Sequence, residues 1–193
     1  MAGLTRTRRP AAGETSIELA WDRAYRGRVN RGLDKERMTQ AQQAFLEEFA
    51  APLIGLPVAH AWRGYGSAIF LEFGALTPST RMDGSPGIPE GEMSLMIEWS
   101  WRIEGRRSIL WGSWSDEAHW PRALACLTKA RVSGVTTFGR LPEIDPALST
   151  GMHVVSLMTA SGGPQWTLFD KRGERCRWLR VRLGVLRVED EPA

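Results

Sequence analysis

Residues Glu92 to Trp114 read EMSLMIEWSWRIEGRRSILWGSW, and this stretch decides the fold class. From Met93 through Ile103 every second residue is apolar, and the residues between them are mostly polar. Such alternation is typical of a β-strand with one face on a core. Gly105 and Arg106 then interrupt the run, and glycine accepts the positive φ that a type II′ hairpin turn needs. We therefore predict a continuous strand, a two-residue turn and a returning strand.

The predicted turn sets the register of this hairpin. It places Trp99 opposite Gly112, so that the indole covers a bare stretch of backbone. On the other face it places Trp111 beside Ser100 and near Glu98. That face is too apolar for full exposure, and we expect another segment to cover part of it.

Length and composition predict one domain with a tail. The chain has 193 residues, of which 42% are apolar, and this is enough to bury a core. Residues 1–37 mix Arg, Gly and Ala with one short apolar patch, so we predict a disordered or loosely docked arm there. Residues 38–193 are predicted to form a single domain. An alternative left open is that translation begins at Met38.

The net charge of +3 comes from the predicted arm. Residues 1–37 hold nine Lys or Arg against five Asp or Glu, so that, of the totals of 25 and 22, 16 basic and 17 acidic residues remain for positions 38–193. The predicted domain is therefore not basic. This counts against nucleic-acid binding, which depends strongly on electrostatic attraction to phosphates.

The sequence predicts a cytoplasmic protein that does not enter a membrane. No apolar run approaches the roughly 18 residues of a membrane span. The first residues, MAGLTRTRRPAAGETS, are basic but lack the apolar segment of a secretory signal. Cys126 and Cys176 form no CxxC pair, and reduced thiols are expected.

Two helices are predicted outside the strands. A helix near residues 39–51 opens with the capping-box pattern of Thr39 to Gln42 and ends at Pro52. A shorter helix is predicted near residues 116–130, where Ser115 and Asp116 can cap its start.

The remaining segments are short strand patterns separated by Gly and Pro turns. A mobile loop is predicted over residues 74–91, and a β-bulge at Gly184, where the alternation changes phase. The predicted fold is α+β and mainly antiparallel, with β meanders forming one curved sheet, a sandwich or a half-open barrel.

The residue types that catalyse reactions or bind metal form no convincing site. The histidines His60, His119 and His153 lie far apart and make no helical pair. Ser113, Asp116 and His119 supply the three residue types of a catalytic triad, but within one short segment, whereas triads draw residues from separate elements. We therefore assign no catalytic residue, metal or cofactor, and favour a non-catalytic protein while leaving an enzyme open.

One alternative is a small-ligand or enzymatic pocket around the central hairpin. Glu98, Ser100 and Trp111 share a predicted sheet face, which places a half-covered carboxylate beside an indole. Two carboxylates from neighbouring strands that approach each other closely also separate their pKa values. Glu72 and Asp116 lie in or beside neighbouring elements and are included in this candidate site. Residues 74–91 are a possible lid. The competing interpretation is an ordinary solvated sheet face.

A further alternative is single-stranded nucleic-acid binding. Trp178, Arg180 and Arg182 alternate on one face of a predicted strand. Stacking indoles beside arginines is typical of small β folds that bind single strands, and the arm of residues 1–37 adds positive charge. The competing interpretation is a set of arginines that protects an edge strand from aggregation.

The leading hypothesis is a protein-interaction module with a protein partner or a second copy of itself. Nine tryptophans are a high count for 193 residues, and tryptophan is a frequent interface anchor.

Overall fold

The fold consists of two antiparallel β-sheets and two short α-helices. The computed structural model describes residues 40–161 and 163–190, so the predicted arm and Thr39 lie outside the described residues. The helices are α1 (Gln40–Ala50), which continues as a 3-10 helix (Ala51–Leu53), and α2 (Trp120–Ala125), which follows a 3-10 helix (Glu117–His119). The strands are β1 (Val58–Arg63), β2 (Ile69–Thr77), β3 (Glu90–Ile97), β4 (Trp101–Glu104), β5 (Ile109–Gly112), β6 (Val132–Phe138), β7 (Glu143–Leu148), β8 (His153–Ser156), β9 (Trp166–Asp170), β10 (Arg177–Arg182) and β11 (Val185–Asp190).

The large sheet has the strand order β1-β2-β3-β9-β10-β11, and the small sheet has the order β5-β4-β8-β7-β6. All neighbouring strands pair antiparallel. The predicted α+β, mainly antiparallel fold is confirmed. We call the face of the large sheet turned away from the small sheet its outer face.

The two sheets share one hydrophobic core. Leu71, Leu95 and Leu168 of the large sheet belong to the same buried cluster as Ile103 and Val154 of the small sheet. Backbone hydrogen bonds also join the sheets at one side, since the segment that leads into β1 pairs with the segment that leads into β6. The described strands therefore form two separate antiparallel sheets around one core rather than one continuous sheet.

The predicted continuous strand from Met93 to Ile103 is wrong. The chain leaves the large sheet after Ile97 and enters the small sheet at Trp101. Trp99 lies in this crossing and is 50% exposed. Ser67 holds the crossing in place, because its hydroxyl donates to the carbonyl of Trp99 at 2.7 Å and its own carbonyl accepts from Trp101 Nε1 at 2.7 Å. Apolar residues continue at every second position of the sequence through the crossing. The sequence pattern therefore does not reveal that the chain changes sheets.

The predicted hairpin register is also wrong. Gly105 N donates to Ser108 O at 2.8 Å, so the two turn residues are Arg106 and Arg107 rather than the predicted Gly105 and Arg106. A bulge follows, and Gly112 pairs with Arg102 rather than with Trp99. The extra residue in the bulge changes the phase of β5, so Trp111 packs against the core.

The helices differ in how well the sequence predicts them. Helix α1 lies within the predicted range of 39–51 and ends before Pro52. The second predicted helix, 116–130, is much shorter in the structure. Asp116 does cap its 3-10 start, with Ala118 N donating to Oδ1 at 3.0 Å.

Two strand features also differ from the prediction. The predicted bulge at Gly184 is instead a tight turn between β10 and β11, in which Leu183 and Gly184 have φ values of 53° and 73°. Strand β7 was not predicted, because Glu143, Asp145 and Pro146 interrupt its apolar pattern. Tertiary pairing with β6 and β8 forms the strand despite these residues.

None of the helices in the described part of the chain has the length and apolar character that a membrane crossing requires.

Candidate functional site

A cavity of about 390 Å³ lies on the outer face of the large sheet, and we call it the Glu72 cavity. Its walls come from strands β1, β2, β3 and β9 and from residues 79–88, which connect β2 to β3. Leu71 and Phe73 of β2 point into the core. Their neighbours Phe70 and Glu72 therefore point to the outer face, since successive side chains of a strand alternate.

Strand register brings the lining residues together in two rows across the sheet. In one row Glu72 pairs with Ser94, and Ser94 pairs with Phe169. In the other row Trp62 pairs with Phe70, and their rings stack at 4.0 Å with 5° between the ring planes. Antiparallel pairing thus gathers aromatic side chains from three strands around one carboxylate.

The carboxylate of Glu72 forms the floor of the cavity. Its side chain belongs to an outer face, yet the residue is only 2% exposed. Oε1 accepts from Trp62 Nε1 at 3.1 Å, and Oε2 accepts from Gly91 N at 2.9 Å and from the hydroxyl of Ser94. A buried carboxylate needs such partners, because desolvation without them is very unfavourable.

Lys171 supplies the positive charge beside this floor. Its Nζ lies 2.8 Å from Glu90 Oε2 and 3.7 Å from Glu72 Oε2. Lys171 follows β9, and its backbone N donates to Glu92 O at 3.0 Å, which continues the pairing with β3. The lysine therefore links two carboxylates that come from neighbouring strands.

The segment between β2 and β3 covers one side of the cavity and is internally hydrogen-bonded. Ser79 Oγ donates to Ile88 O at 2.6 Å, and Gly87 N donates to Ser79 O at 2.8 Å. A Cβ atom at residue 87 would lie 2.2 Å from Ser79 Oγ. The close approach of the chain at Gly87 to the chain at Ser79 therefore requires glycine. At the tip the Ser85 hydroxyl lowers the pKa of Asp83 by hydrogen bonding.

This segment is shorter than the loop predicted over residues 74–91. Strand β2 extends to Thr77 and β3 begins at Glu90. The predicted lid therefore corresponds to residues 78–89, and it lies over Glu72 and Phe70 rather than over the central hairpin.

The other residues of the predicted pocket do not line the Glu72 cavity. Glu98 lies in the crossing between the sheets, half-buried, and burial raises its pKa against the opposing effect of Arg180. Ser100 ends the crossing, with its hydroxyl 3.0 Å from that of Thr159. Trp111 belongs to β5 of the small sheet, and Asp116 caps the 3-10 helix. The predicted face of Glu98, Ser100 and Trp111 is not assembled, because the chain changes sheets between Glu98 and Trp101.

The residues predicted to bind nucleic acid lie further along the outer face. The guanidinium of Arg180 lies 4.6 Å from the ring centre of Trp178 and 3.4 Å from Glu189. Its charge is thus already balanced within the sheet. Arg182 is exposed at the end of β10.

Sequence reasoning missed Trp62, Ser94 and Lys171 as partners of Glu72. Glu72 was included in the candidate pocket predicted from the sequence. Its partners, however, lie 10, 22 and 99 positions away along the chain, as the residue numbers show. Only strand pairing brings them together, and the sequence pattern does not state which strands pair.

Within residues 40–161 and 163–190, His, Cys, Asp and Glu form no cluster of three or more that is able to hold a metal ion. Comparisons with protein-family models, with curated proteins and with solved structures found no match for the chain.

Proposed function

We propose that the protein binds a small aromatic molecule in the Glu72 cavity. The observation that carries this proposal is a cavity of about 390 Å³ with aromatic walls and a buried, fully hydrogen-bonded carboxylate at its floor. Small-ligand sites are typically concave, largely apolar and about 300–1,000 Å³ in volume, with a few fixed polar groups. The Glu72 cavity has each of these properties.

The hydrogen bonds of Glu72 favour binding over acid–base catalysis. Each carboxylate oxygen already accepts from the protein, and Oε2 accepts twice. A general base needs an oxygen that can approach the proton it removes. We therefore assign Glu72 a positioning role, in which it holds Trp62 and Ser94 in place before the ligand arrives and so reduces the ordering that binding requires.

Filling the cavity tests this proposal. Thr80 lines the cavity, and Met82 is fully exposed on the same segment without lining it. We expect Thr80→Trp to weaken the binding of the neutral aromatic dye phenylnaphthylamine about tenfold, because the new indole occupies ligand space. The matched control Met82→Trp is expected to leave the affinity unchanged. Dye fluorescence measures both, and equal affinities for the two variants would refute the cavity as the binding site.

We also propose a second function, self-association through β5. This strand is an edge of the small sheet, Trp114 beyond its end is 93% exposed and Ile109 is 62% exposed. Arg106 and Arg107 precede the strand, and Asp116 follows it. Antiparallel pairing of two copies about a two-fold axis brings the arginines of each copy beside Trp114 and Asp116 of the other. This complementarity of charge favours a second copy as the partner.

Light scattering during size-exclusion chromatography tests this second function. We expect a dimer for the natural chain and a monomer for Ile109→Lys, because a buried lysine without a partner opposes association. Tyr65→Lys, which places the same charge at a fully exposed position between β1 and β2, is expected to remain dimeric. A natural chain that elutes as a monomer at its highest soluble concentration would overturn the proposal.

A further inference from the structure

We infer that the ligand of the Glu72 cavity carries an anionic group, which Arg81 and Lys171 bind while the aromatic walls hold its ring. This inference rests on the proposed function, and it specifies the chemical class of the ligand as an aromatic acid.

The balance of donors and acceptors in the cavity supports an anion. The oxygens of Glu72 are occupied by Trp62, Gly91 and Ser94. A cationic ligand would therefore find the deepest carboxylate already engaged, with the ammonium group of Lys171 beside it.

Unused donors are available at the same place. Arg81 lines the cavity, and its guanidinium makes no hydrogen bond or ion pair with any other residue in the described part of the chain. Lys171 Nζ has three N–H groups, and among the described residues its one hydrogen bond is to Glu90. A carboxylate or sulfonate matches both groups, because guanidinium and ammonium donors form their strongest hydrogen bonds with anions.

The walls define the rest of the ligand. Trp62, Phe70 and Phe169 line the cavity together with Ile88. Aromatic side chains bind flat rings by stacking or by edge-to-face contact. The geometry therefore places the ring of the ligand against the aromatic walls and its anionic group beside Arg81 and Lys171.

Two dyes with the same ring system separate the contribution of charge from that of shape. Anilinonaphthalenesulfonate carries a sulfonate, and phenylnaphthylamine is its neutral counterpart. We expect the natural chain to bind the anionic dye about tenfold more tightly than the neutral one, since hydrogen bonds to a charged group are stronger than neutral contacts.

Two substitutions then predict effects of opposite sign. Arg81→Gln is expected to weaken binding of the anionic dye about tenfold, because it removes the unpaired guanidinium. Glu90→Gln is expected to tighten it about threefold, because it releases Lys171 from its hydrogen-bonded carboxylate. Arg140→Gln, an exposed arginine between β6 and β7 of the small sheet, is the control and is expected to have no effect. The affinity for the neutral dye is expected to change less than that for the anionic dye in Arg81→Gln and Glu90→Gln, and to stay constant in Arg140→Gln.

The outcomes distinguish the inference that the ligand is anionic from the proposal that the cavity binds an aromatic molecule. Equal affinity of the natural chain for both dyes, together with no effect of Arg81→Gln, would overturn the inference while leaving a neutral-ligand cavity in place. A cationic aromatic dye that binds the natural chain more tightly than the anionic dye would also overturn it. Failure of both naphthalene dyes to bind the natural chain would overturn the proposed function itself.

Discussion

Replacing Glu72 with alanine is expected to lower the free energy of unfolding by about 3 kcal/mol, because the substitution leaves several buried donors without an acceptor. Trp62 Nε1, Gly91 N and the hydroxyl of Ser94 all donate to this carboxylate. Gly91 and Ser94 are buried beside Glu72, and Trp62 is partly buried. Urea denaturation followed by tryptophan fluorescence measures the change.

A surface carboxylate provides the matched control for Glu72→Ala. Glu117 forms an ion pair with Arg63 at 2.6 Å, and its side chain is 62% exposed. Exposed ion pairs contribute about 0–1 kcal/mol, so Glu117→Ala is expected to change the free energy of unfolding little. Equal losses for the two substitutions would show that the network around Glu72 does not stabilise the fold.

Glu72→Gln separates the shape of the side chain from its charge. On one side of the new amide, the oxygen still accepts hydrogen bonds. On the other side, the NH2 group faces either Trp62 Nε1 or the pair formed by Gly91 N and the Ser94 hydroxyl. The loss in the free energy of unfolding is expected to be about 1–2 kcal/mol, between those of the other two variants, because one buried N–H group is left unpaired.

Replacing Trp101 with alanine is expected to have the largest effect on stability, about 4 kcal/mol. Trp101 is completely buried where the chain enters the small sheet. Its ring contacts Trp120 edge-to-face, with ring centres 5.2 Å apart, and its Nε1 donates to Ser67 O. The substitution removes this packing and leaves a large cavity in the core that both sheets share.

Trp99 is the control for Trp101, since it lies two residues earlier in the same crossing and is half exposed. Trp99→Ala is expected to lower the free energy of unfolding by about 2 kcal/mol, roughly half the loss for Trp101→Ala, because half of its side chain is already exposed. Trp101→Phe keeps most of the ring and loses the hydrogen bond to Ser67, and it remains measurable if Trp101→Ala does not fold. Similar losses for Trp99→Ala and Trp101→Ala would contradict the crossing that the structure shows.

The sequence predicts the positions of the strands better than it predicts which strands pair with each other. Alternation between Met93 and Ile103 identifies the inward apolar side chains of β3 and β4, because inward direction is a local property of a strand. It also predicts an inward Trp99, which is instead half exposed in the crossing. It does not identify the sheet to which each inward side chain belongs, since Ile97 and Trp101 point into one core from opposite sides. The bulge in β5 has a similar origin, because contact of Trp111 with the core depends on residues outside the hairpin.

The candidate site was only partly predictable for the same physical reason. Glu72 was included because it lies in a strand near the central hairpin, where carboxylates from neighbouring strands can approach each other. Lys171 was not, since its hydrogen bond to Glu90 spans 81 positions of the chain. Arg81 lies in a segment rich in Gly and Pro, and such a composition predicts a loop without showing which surface the loop covers.

The central claim is that a small aromatic molecule binds beside Glu72, and the indole N–H resonance of Trp62 tests it most directly. This N–H group donates to Glu72 at the cavity floor, 3.1 Å from Oε1, and Trp62→Phe identifies its signal among those of the nine tryptophans. During titration with anilinonaphthalenesulfonate, we expect the Trp62 resonance to shift progressively to saturation while that of Trp114 stays in place. A Trp62 resonance that does not move at saturating dye would contradict the account.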